Sequence, residues 1–175
     1  MSPLKPYLST SLIYGTITGL AAFVWFIGVY YSGANAFYSF QQKLSILLQA
    51  VAAYFAIKHY RDKQKEGLLS FGEGIIIGML VALVTALIAG VGIFIFSNYI
   101  QPQMITEHVQ TLRRYMEVNK TELINRSSEE MYKGNLKGVD EVSAFSLALD
   151  DFIWKIIRGT MFSILVSLVL RRSKV

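Results

Sequence analysis

The feature that most constrains this chain is an apolar run from Gly74 to Phe96, which contains twenty-three residues and no charge. A helix rises about 1.5 Å per residue, so about 20 apolar residues cross the hydrocarbon core of a bilayer. A second run, from Leu12 to Tyr31, contains twenty uncharged residues. We therefore predict that both segments are transmembrane helices.

Two further runs are shorter. The segment 44–57 has fourteen residues between Lys43 and Lys58, and it spans a bilayer if both lysines extend outward along their apolar stems. The segment 159–170 has only twelve uncharged residues, so a fourth span must include Arg158. Since 53% of the 175 residues are hydrophobic and 17% are charged, the composition also favours a membrane protein.

The basic residues predict the orientation of these spans, because lysine and arginine concentrate in cytoplasmic segments. Four of them lie between the second and third runs, at Lys58, Arg61, Lys63 and Lys65, and others follow the last run. Residues 32–42, between the first and second runs, carry no charge. Both termini are therefore expected in the cytoplasm. We ascribe the net charge of +5 to this asymmetry, and nucleic acid is not expected as a partner.

The predicted fold is all-α: an integral membrane four-helix bundle with both termini cytoplasmic, formed by a single membrane domain, 1–175. The spans are expected at about 10–31, 39–59, 72–98 and 152–171. Residues 99–151 are expected to form a helical extracytoplasmic loop between spans 3 and 4.

Local patterns predict helix starts within this loop. Pro102 suits a first helical turn, and Ser127 with Glu130 resembles a capping box. Asp140 precedes an apolar stripe that leads into the fourth span, while Asp150 and Asp151 are expected to cap that span. Asp151 is also expected to pair with Lys155 one turn later.

Small residues recur at intervals of four along the third run, which gives one nearly smooth helix face suited to close backbone approach in lipid. Similar small residues occur in the first and last runs. These faces serve either a tightly packed monomer or a groove for the helix of another subunit. The helix-packing residues are Gly15, Gly19, Gly74, Gly78, Ala82, Ala86, Gly90 and Gly159.

Glu73 is a single carboxylate at the entrance to the third run. Ser70 and Glu73 have the S-x-x-E spacing of a capping box, and the glutamate lies at the positive end of the helix dipole. Proton chemistry is the alternative for an acid in a membrane segment. Its expected position at the cytoplasmic rim favours capping.

These residues also carry a resemblance to a known family. The elements are "YGTITG" at 14–19, "YRDK" at 60–63, "SFGE" at 70–73 and "NYIQP" at 98–102. The chain resembles the bacterial multi-pass membrane proteins grouped as domain of unknown function 4199. The resemblance covers the first three spans, fades across 103–150 and resumes loosely in the last span. It implies four helices in an inner membrane, no established reaction, and a possible link to lipid-linked sugar or envelope processes.

Catalytic, cofactor-binding and metal sites are not expected. His59 lies in the basic turn, and His108 lacks the H-E-x-x-H spacing that places two histidines on one helix face. The chain has no cysteine, which excludes disulfides and thiolate metal sites.

Three polar residues are candidates for contact with a lipid or a partner. Arg158 lies in hydrocarbon unless it extends to the headgroups or pairs, and Lys155 is a possible second donor to an anionic headgroup. Gln49 is expected midway along the second span, where an interhelical hydrogen bond is the common use of an amide.

The sequence thus predicts a non-enzymatic protein of the bacterial inner membrane. It is expected to be an accessory or structural subunit that associates with itself or with a larger membrane assembly, through its small-residue faces and its outer loop. The alternative is a small transporter or lipid-binding protein that holds an anionic headgroup through Arg158 and Lys155.

Overall fold

The structure is a computed structural model that describes residues 4–172. Residues 1–3 and 173–175, which the single-domain prediction includes, lie outside the described residues. The helices are α1 (Leu4–Tyr31), α2 (Phe40–Lys43), α3 (Ile46–Gln64), α4 (Phe71–Ile95), α5 (Gln103–Val118), α6 (Lys120–Arg126), α7 (Glu129–Asp140) and α8 (Ala144–Leu170). A π-helical turn, Phe96–Ile100, continues α4. Throughout 4–172 there is no β-strand, only one antiparallel bridge between Leu69 and Arg172.

Three helical segments are long and apolar enough to cross a membrane: Tyr7–Tyr31, Phe71–Ile100 and Ala144–Leu170. The prediction of an all-helical protein with membrane-length helices is therefore confirmed. α3 does not reach the same hydropathy, because the second half of its nineteen residues contains the basic segment Lys58–Gln64.

The chain forms two compact units. One comprises the residues up to Gly92 and those from Leu149 onward, and we call it the long-helix unit. The other, Ile93–Ala148, is the short-helix unit.

Within the long-helix unit, α4 packs against α8 through small residues on both helices. A Cβ atom added to Gly74 would overlap the Ser167 side chain, and one added to Gly78 would overlap Ser163. Both serines are fully buried, and each donates its hydroxyl to the carbonyl four residues earlier in α8. Gly159 in turn lies against Ala82. The backbones therefore approach as closely as their atoms allow.

α1 packs against another side of α4. A Cβ atom on Gly15 would lie 2.6 Å from Val84 Cβ, and one on Gly19 would lie 2.8 Å from Ile88 Cβ. Interhelical hydrogen bonds reinforce this contact, since Thr85 donates its hydroxyl to the Gly15 carbonyl at 3.3 Å. Ala86 and Gly90 are also buried. Gly15, Gly19, Gly74, Gly78, Ala82 and Gly159 thus lie against another helix of the same chain.

α3 completes the long-helix unit through contacts with α1 and α8. Its buried side is formed by Ala52, Ala53, Ala56, Ile57 and Tyr60. The helix begins only at Ile46, because Leu44 and Ser45 form a turn that separates it from the single helical turn of α2. Gln49 therefore lies in the first turn of α3.

The turn after α3 needs glycine. Glu66 has a φ of 51° and Gly67 a φ of 85°, both in the left-handed region that glycine adopts without strain. This turn ends α3 and directs the chain into the bridge between Leu69 and Arg172.

The short-helix unit has a small apolar core of its own. Met116, Tyr132 and Val139 are buried together, with Leu112 and Leu136 packed against them. It includes the π-helical turn, where the fully buried Ser97 donates its hydroxyl to the Ile93 carbonyl at 2.7 Å.

Three predicted helix caps were wrong. The N-cap of α7 is Ser128, one residue after the predicted Ser127, and its hydroxyl accepts from the Met131 N–H. Asp140 ends α7 and does not start the next helix. Ser143 and Ser146 bond reciprocally at the start of α8, so Asp150 and Asp151 lie inside that helix. In each case another side chain with an accepting oxygen was available nearby.

A glycine pair tests the packing of the long-helix unit. Gly-to-Ala changes in a helix normally stabilise it, by about 0.5–1 kcal/mol. Gly28→Ala should follow this rule, since nothing lies within 4 Å of the added Cβ. Gly78→Ala should instead lower the free energy of unfolding by about 1–3 kcal/mol, because the new methyl group overlaps Ser163. Reversible unfolding in detergent micelles measures both values, and equal stability of the two variants would contradict the packing described here.

Candidate functional site

The elements "YRDK" and "SFGE" meet at one end of the long-helix unit, where four helices begin or end. We call the five side chains that meet there the junction cluster: Tyr7, Tyr60, Lys65, Ser70 and Glu73. They come from α1, from α3 and the turn that follows it, and from the start of α4. The bridge between Leu69 and Arg172 joins the end of α8 to the same place.

Glu73 is the centre of the junction cluster. Its Oε1 accepts from the Tyr7 hydroxyl at 3.2 Å and lies 2.7 Å from Lys65 Nζ. Its Oε2 accepts from the Ser70 N–H at 3.0 Å, while the Glu73 N–H donates to Ser70 Oγ at 3.3 Å. The last two bonds form a complete capping box. One carboxylate therefore caps α4 and also ties it to α1 and to the turn after α3.

Aromatic and polar contacts surround this carboxylate. The rings of Tyr7 and Tyr60 stack with their centroids 5.0 Å apart, and Tyr60 is 2% exposed. Next to them, Gln64 Nε2 donates to the buried Thr10 hydroxyl at 2.8 Å. α1 is thus held to α3 by a stacked pair and a hydrogen bond.

Arg61 and Lys65 are two of the positive charges at this end. Arg61 Nε is 2.7 Å from Asp62, and its Nη1 reaches the Leu170 carbonyl at 3.5 Å, so this side chain also contacts the end of α8. The ion pair with Glu73 raises the pKa of Lys65. The two charged side chains of the junction cluster, Lys65 and Glu73, are therefore already paired with each other.

A second polar group lies where α3 meets α8. Lys155 is 3% exposed and forms an ion pair with Asp151 one turn earlier in α8, as the sequence predicts. Gln49 Nε2 donates to the Lys155 carbonyl at 3.1 Å, whereas Gln49 Oε1 is buried with no hydrogen-bond partner within residues 4–172. A cavity of about 10 Å³ lies beside Gln49, Thr85 and Gly159. The amide links two helices.

Arg158 is not part of this buried group. Its Nε donates to the Trp154 carbonyl at 3.1 Å, and its guanidinium carbon lies 6.0 Å from the centre of the Trp154 ring. The two candidate donors to a headgroup therefore lie in different surroundings. Lys155 is paired with Asp151, whereas Arg158 lies over a tryptophan that is 49% exposed.

The two histidines lie in different helices, His59 in α3 and His108 in α5. Between residues 4 and 172, no three His, Asp or Glu side chains are grouped closely enough to hold a metal ion. His59 is exposed beside Tyr14, with the two rings 5.7 Å apart. His108 is 6% exposed in α5, and burial lowers its pKa.

These features define an all-helical membrane-type protein whose motif residues hold helix ends together. The sequence profile described as "Protein of unknown function (DUF4199)" matches residues 13–172, so the chain belongs to this family. No curated protein and no solved structure matches the chain.

Sequence reasoning identified Ser70 and Glu73 but missed Tyr7, Tyr60 and Lys65 as their partners. Tyr7 is 66 residues from Glu73, and no local pattern links the two. It also missed Gly134 and Gly138 in α7, which have nothing within 4 Å of an added Cβ. Their spacing of four was a usable signal, because it is the spacing seen in the membrane helices.

A double-mutant cycle tests the junction cluster. Glu73→Gln should reduce the free energy of unfolding by about 1–2 kcal/mol, because it removes the ion pair with Lys65 and weakens the cap. Tyr7→Phe should cost about 0.5–1.5 kcal/mol through the lost hydroxyl. The two losses should not add, with a coupling of about 0.5 kcal/mol or more. Glu66→Gln is the matched control, and full additivity would show that Tyr7 and Glu73 do not interact.

The burial of His108 predicts a pH dependence of the short-helix unit. Its folded-state pKa lies below the unfolded value of about 6.5, so unfolding takes up a proton as the pH falls through that value. The free energy of unfolding of α5 should be constant above this pH and should decrease below it. Hydrogen exchange of α5 amides in the whole protein, corrected for intrinsic rates, measures the decline. His108→Gln should abolish it, whereas His59→Gln should leave it unchanged. An unchanged decline in His108→Gln would assign it to another group.

Proposed function

We propose that this chain is a non-enzymatic, multi-pass protein of the bacterial inner membrane that associates with itself or with a larger membrane assembly. In this proposal four helices, α1, α3, α4 and α8, cross the bilayer as a bundle. The short-helix unit is the extracytoplasmic part. Membrane lipids and a membrane-protein partner, or a second copy, are its binding partners, and an accessory role in lipid-linked sugar or envelope processes is one version.

The junction cluster supports the fourth span. Tyr7 near the start of α1, Lys65 after α3 and Glu73 at the start of α4 meet at one end, and Arg172 after α8 pairs with Leu69 there. A chain that leaves this end through α1 and starts α4 from the same end returns between them through α3. Hydropathy finds three spans, and this connectivity supports α3 as a fourth.

Further contacts are consistent with α3 in a bilayer. Its nineteen residues extend roughly 28 Å, of which the twelve residues before Lys58 account for about 18 Å. Lys43 and Lys58, which flank its apolar part, lie 5.5 Å from the Tyr38 ring centre and 5.7 Å from that of Tyr54. Lysines that extend along aromatic rings at helix ends are typical of membrane interfaces.

Basic residues support a cytoplasmic position for the junction end. Lys58, Arg61, Lys63 and Lys65 lie in the last turns of α3 and just after it, and Arg171 and Arg172 follow α8. The short connection at the other end of α1, residues 32–39, carries no charge. The positive-inside rule then favours both termini in the cytoplasm.

The saturation of Glu73 is the observation that carries the non-enzymatic proposal. A general acid or base must exchange a proton with a substrate within hydrogen-bond reach. Glu73 instead accepts from a tyrosine hydroxyl, a lysine and a backbone N–H, all of which hold helices together. The "SFGE" element therefore supports a structural role.

The short-helix unit supports the association part of the proposal. The small-residue faces of α1, α4 and α8 are used within the chain, so a partner must use another surface. On α7, Met131 is 59% exposed and lies on one helix face with Gly134 and Gly138. Glycine inside an exposed helix costs about 0.5–1 kcal/mol relative to alanine. A face that keeps two glycines and an exposed methionine is suited to close contact with another helix.

A bulky substitution on α7 tests the association. Gly138→Leu should leave the monomer folded, since nothing lies within 4 Å of the added Cβ. It should also remove the oligomer or the co-purifying partner after mild detergent extraction. Gly28→Leu in α1, which has the same open surroundings, is the matched control. Recovery of wild-type protein with no stoichiometric partner or oligomer would contradict the association. Wild-type behaviour of Gly138→Leu would exclude this face of α7.

A further inference from the structure

Among the described residues, the Arg158 side chain donates one hydrogen bond, from its Nε. It lies in the middle of α8, one of the three helices long and apolar enough to cross a membrane. Its Nε donates to the Trp154 carbonyl. In the part of the chain that the structure describes, its four Nη hydrogens have no hydrogen-bond or ion-pair partner. A guanidinium at such a position is costly in hydrocarbon unless it extends to the headgroups, finds water or pairs with an anion.

The side chain faces away from the packed interior. Trp154 and Ile157, its neighbours on α8, are 49% and 43% exposed, and Met161 is 59% exposed. Arg158 is itself partly exposed, in contrast to the buried Lys155. In a bilayer this surface of α8 faces lipid.

The local charge favours an anion. Asp151 and Lys155 form an ion pair and cancel, so Arg158 leaves this part of α8 with a formal charge of +1. The other acid nearby in α8, Asp150, lies eight residues earlier, roughly 12 Å along the helix axis.

The direction of the Arg158 side chain indicates on which side of the helix midpoint an anion would bind. Arg158 extends toward Trp154, one turn closer to the start of α8, as helical side chains do. With Leu170 near the opposite membrane surface, Arg158 lies about 18 Å from that side along the axis, and its guanidinium points to the nearer headgroup region. Trp154 lies one turn nearer that surface, and its ring covers one face of the guanidinium.

We propose that Arg158 and Trp154 form a binding site for the phosphate of a net-anionic lipid on the lipid-facing surface of α8. The Nη groups donate to two phosphate oxygens, in the fork geometry that guanidinium groups use for phosphate. Trp154 holds the guanidinium from the side and packs its ring against the lipid. Lys155 takes no part, because Asp151 holds it inside the protein. The site requires α8 to be in a membrane but does not depend on the proposed association with a partner.

Native mass spectrometry of the whole protein in detergent, titrated with phosphatidylglycerol and with phosphatidylcholine, tests the site. The wild type should bind phosphatidylglycerol more tightly. Arg158→Gln should weaken this binding about tenfold or more and remove the preference. Arg158→Lys keeps the charge without the fork and should fall between the two. Arg114→Gln, which removes an exposed arginine of the short-helix unit, should bind as the wild type does.

Three results from the titration, from competition with inorganic phosphate and from co-purification would overturn the proposal. The first is wild-type binding and preference in Arg158→Gln. The second is displacement of phosphatidylglycerol by millimolar inorganic phosphate, which would assign the site to a soluble phosphate compound. The third is the loss of a co-purifying protein from Arg158→Gln with lipid binding intact, which would assign the guanidinium to a partner's carboxylate.

A second measurement does not depend on the folding of Arg158→Gln. The chain has two tryptophans, so Trp25→Phe leaves Trp154 as the only one. Its fluorescence should shift on addition of phosphatidylglycerol and respond far less to phosphatidylcholine. Equal responses to the two lipids would contradict a site at Trp154.

Discussion

The structure depends on how closely the backbone of α4 approaches its neighbours. Along one side, Gly74 and Gly78 leave room for only the two serines of α8, and along another side Val84 and Ile88 fill the space that Gly15 and Gly19 leave on α1. Helices in lipid gain little from hydrophobic burial against each other, so dispersion contacts at this distance and the interhelical hydrogen bonds must hold them. The serines suit this role, because each donates its hydroxyl within its own helix and leaves no polar group unsatisfied.

Close packing positions the helices laterally, and the junction cluster sets how far each one extends. Glu73 caps α4, and the Tyr7 hydroxyl and the Lys65 ammonium then bind the same carboxylate. The Glu73 side chain is 21% exposed and the Lys65 side chain 41%, so solvent partly screens this ion pair. We therefore expect it to add little to the free energy of unfolding and to act mainly by fixing the position of the turn after α3 against α4. The elements "YRDK" and "SFGE" then have a physical meaning, since Tyr60, Ser70 and Glu73 lie together where four helices begin or end.

The sequence predicts local and periodic features well. Uncharged runs, the four-residue spacing of small residues, and the capping pair Ser70 and Glu73 depend on neighbours in the chain, and the structure contains each of them. The partners that join distant helices could not be predicted in this way. Tyr7 and Glu73 are 66 residues apart, and Gln49 and Lys155 are 106 apart, so only the packing of the whole unit brings them together. The caps at Ser127, Asp140 and Asp151 failed because other residues nearby satisfy the same rule and local geometry selects one of them.

The central claim is that α3 crosses the bilayer with α1, α4 and α8, and that the junction end is cytoplasmic. Because the chain has no cysteine, single cysteines can be placed at Gln64, at Asn35 and at Arg126, and labelled with a membrane-impermeant maleimide in intact spheroplasts. The account predicts labelling at 35 and 126 without disruption, and labelling at 64 only after the membrane is opened. Labelling at 35 and 64 from the same side would show that α3 does not cross, and it would contradict the account.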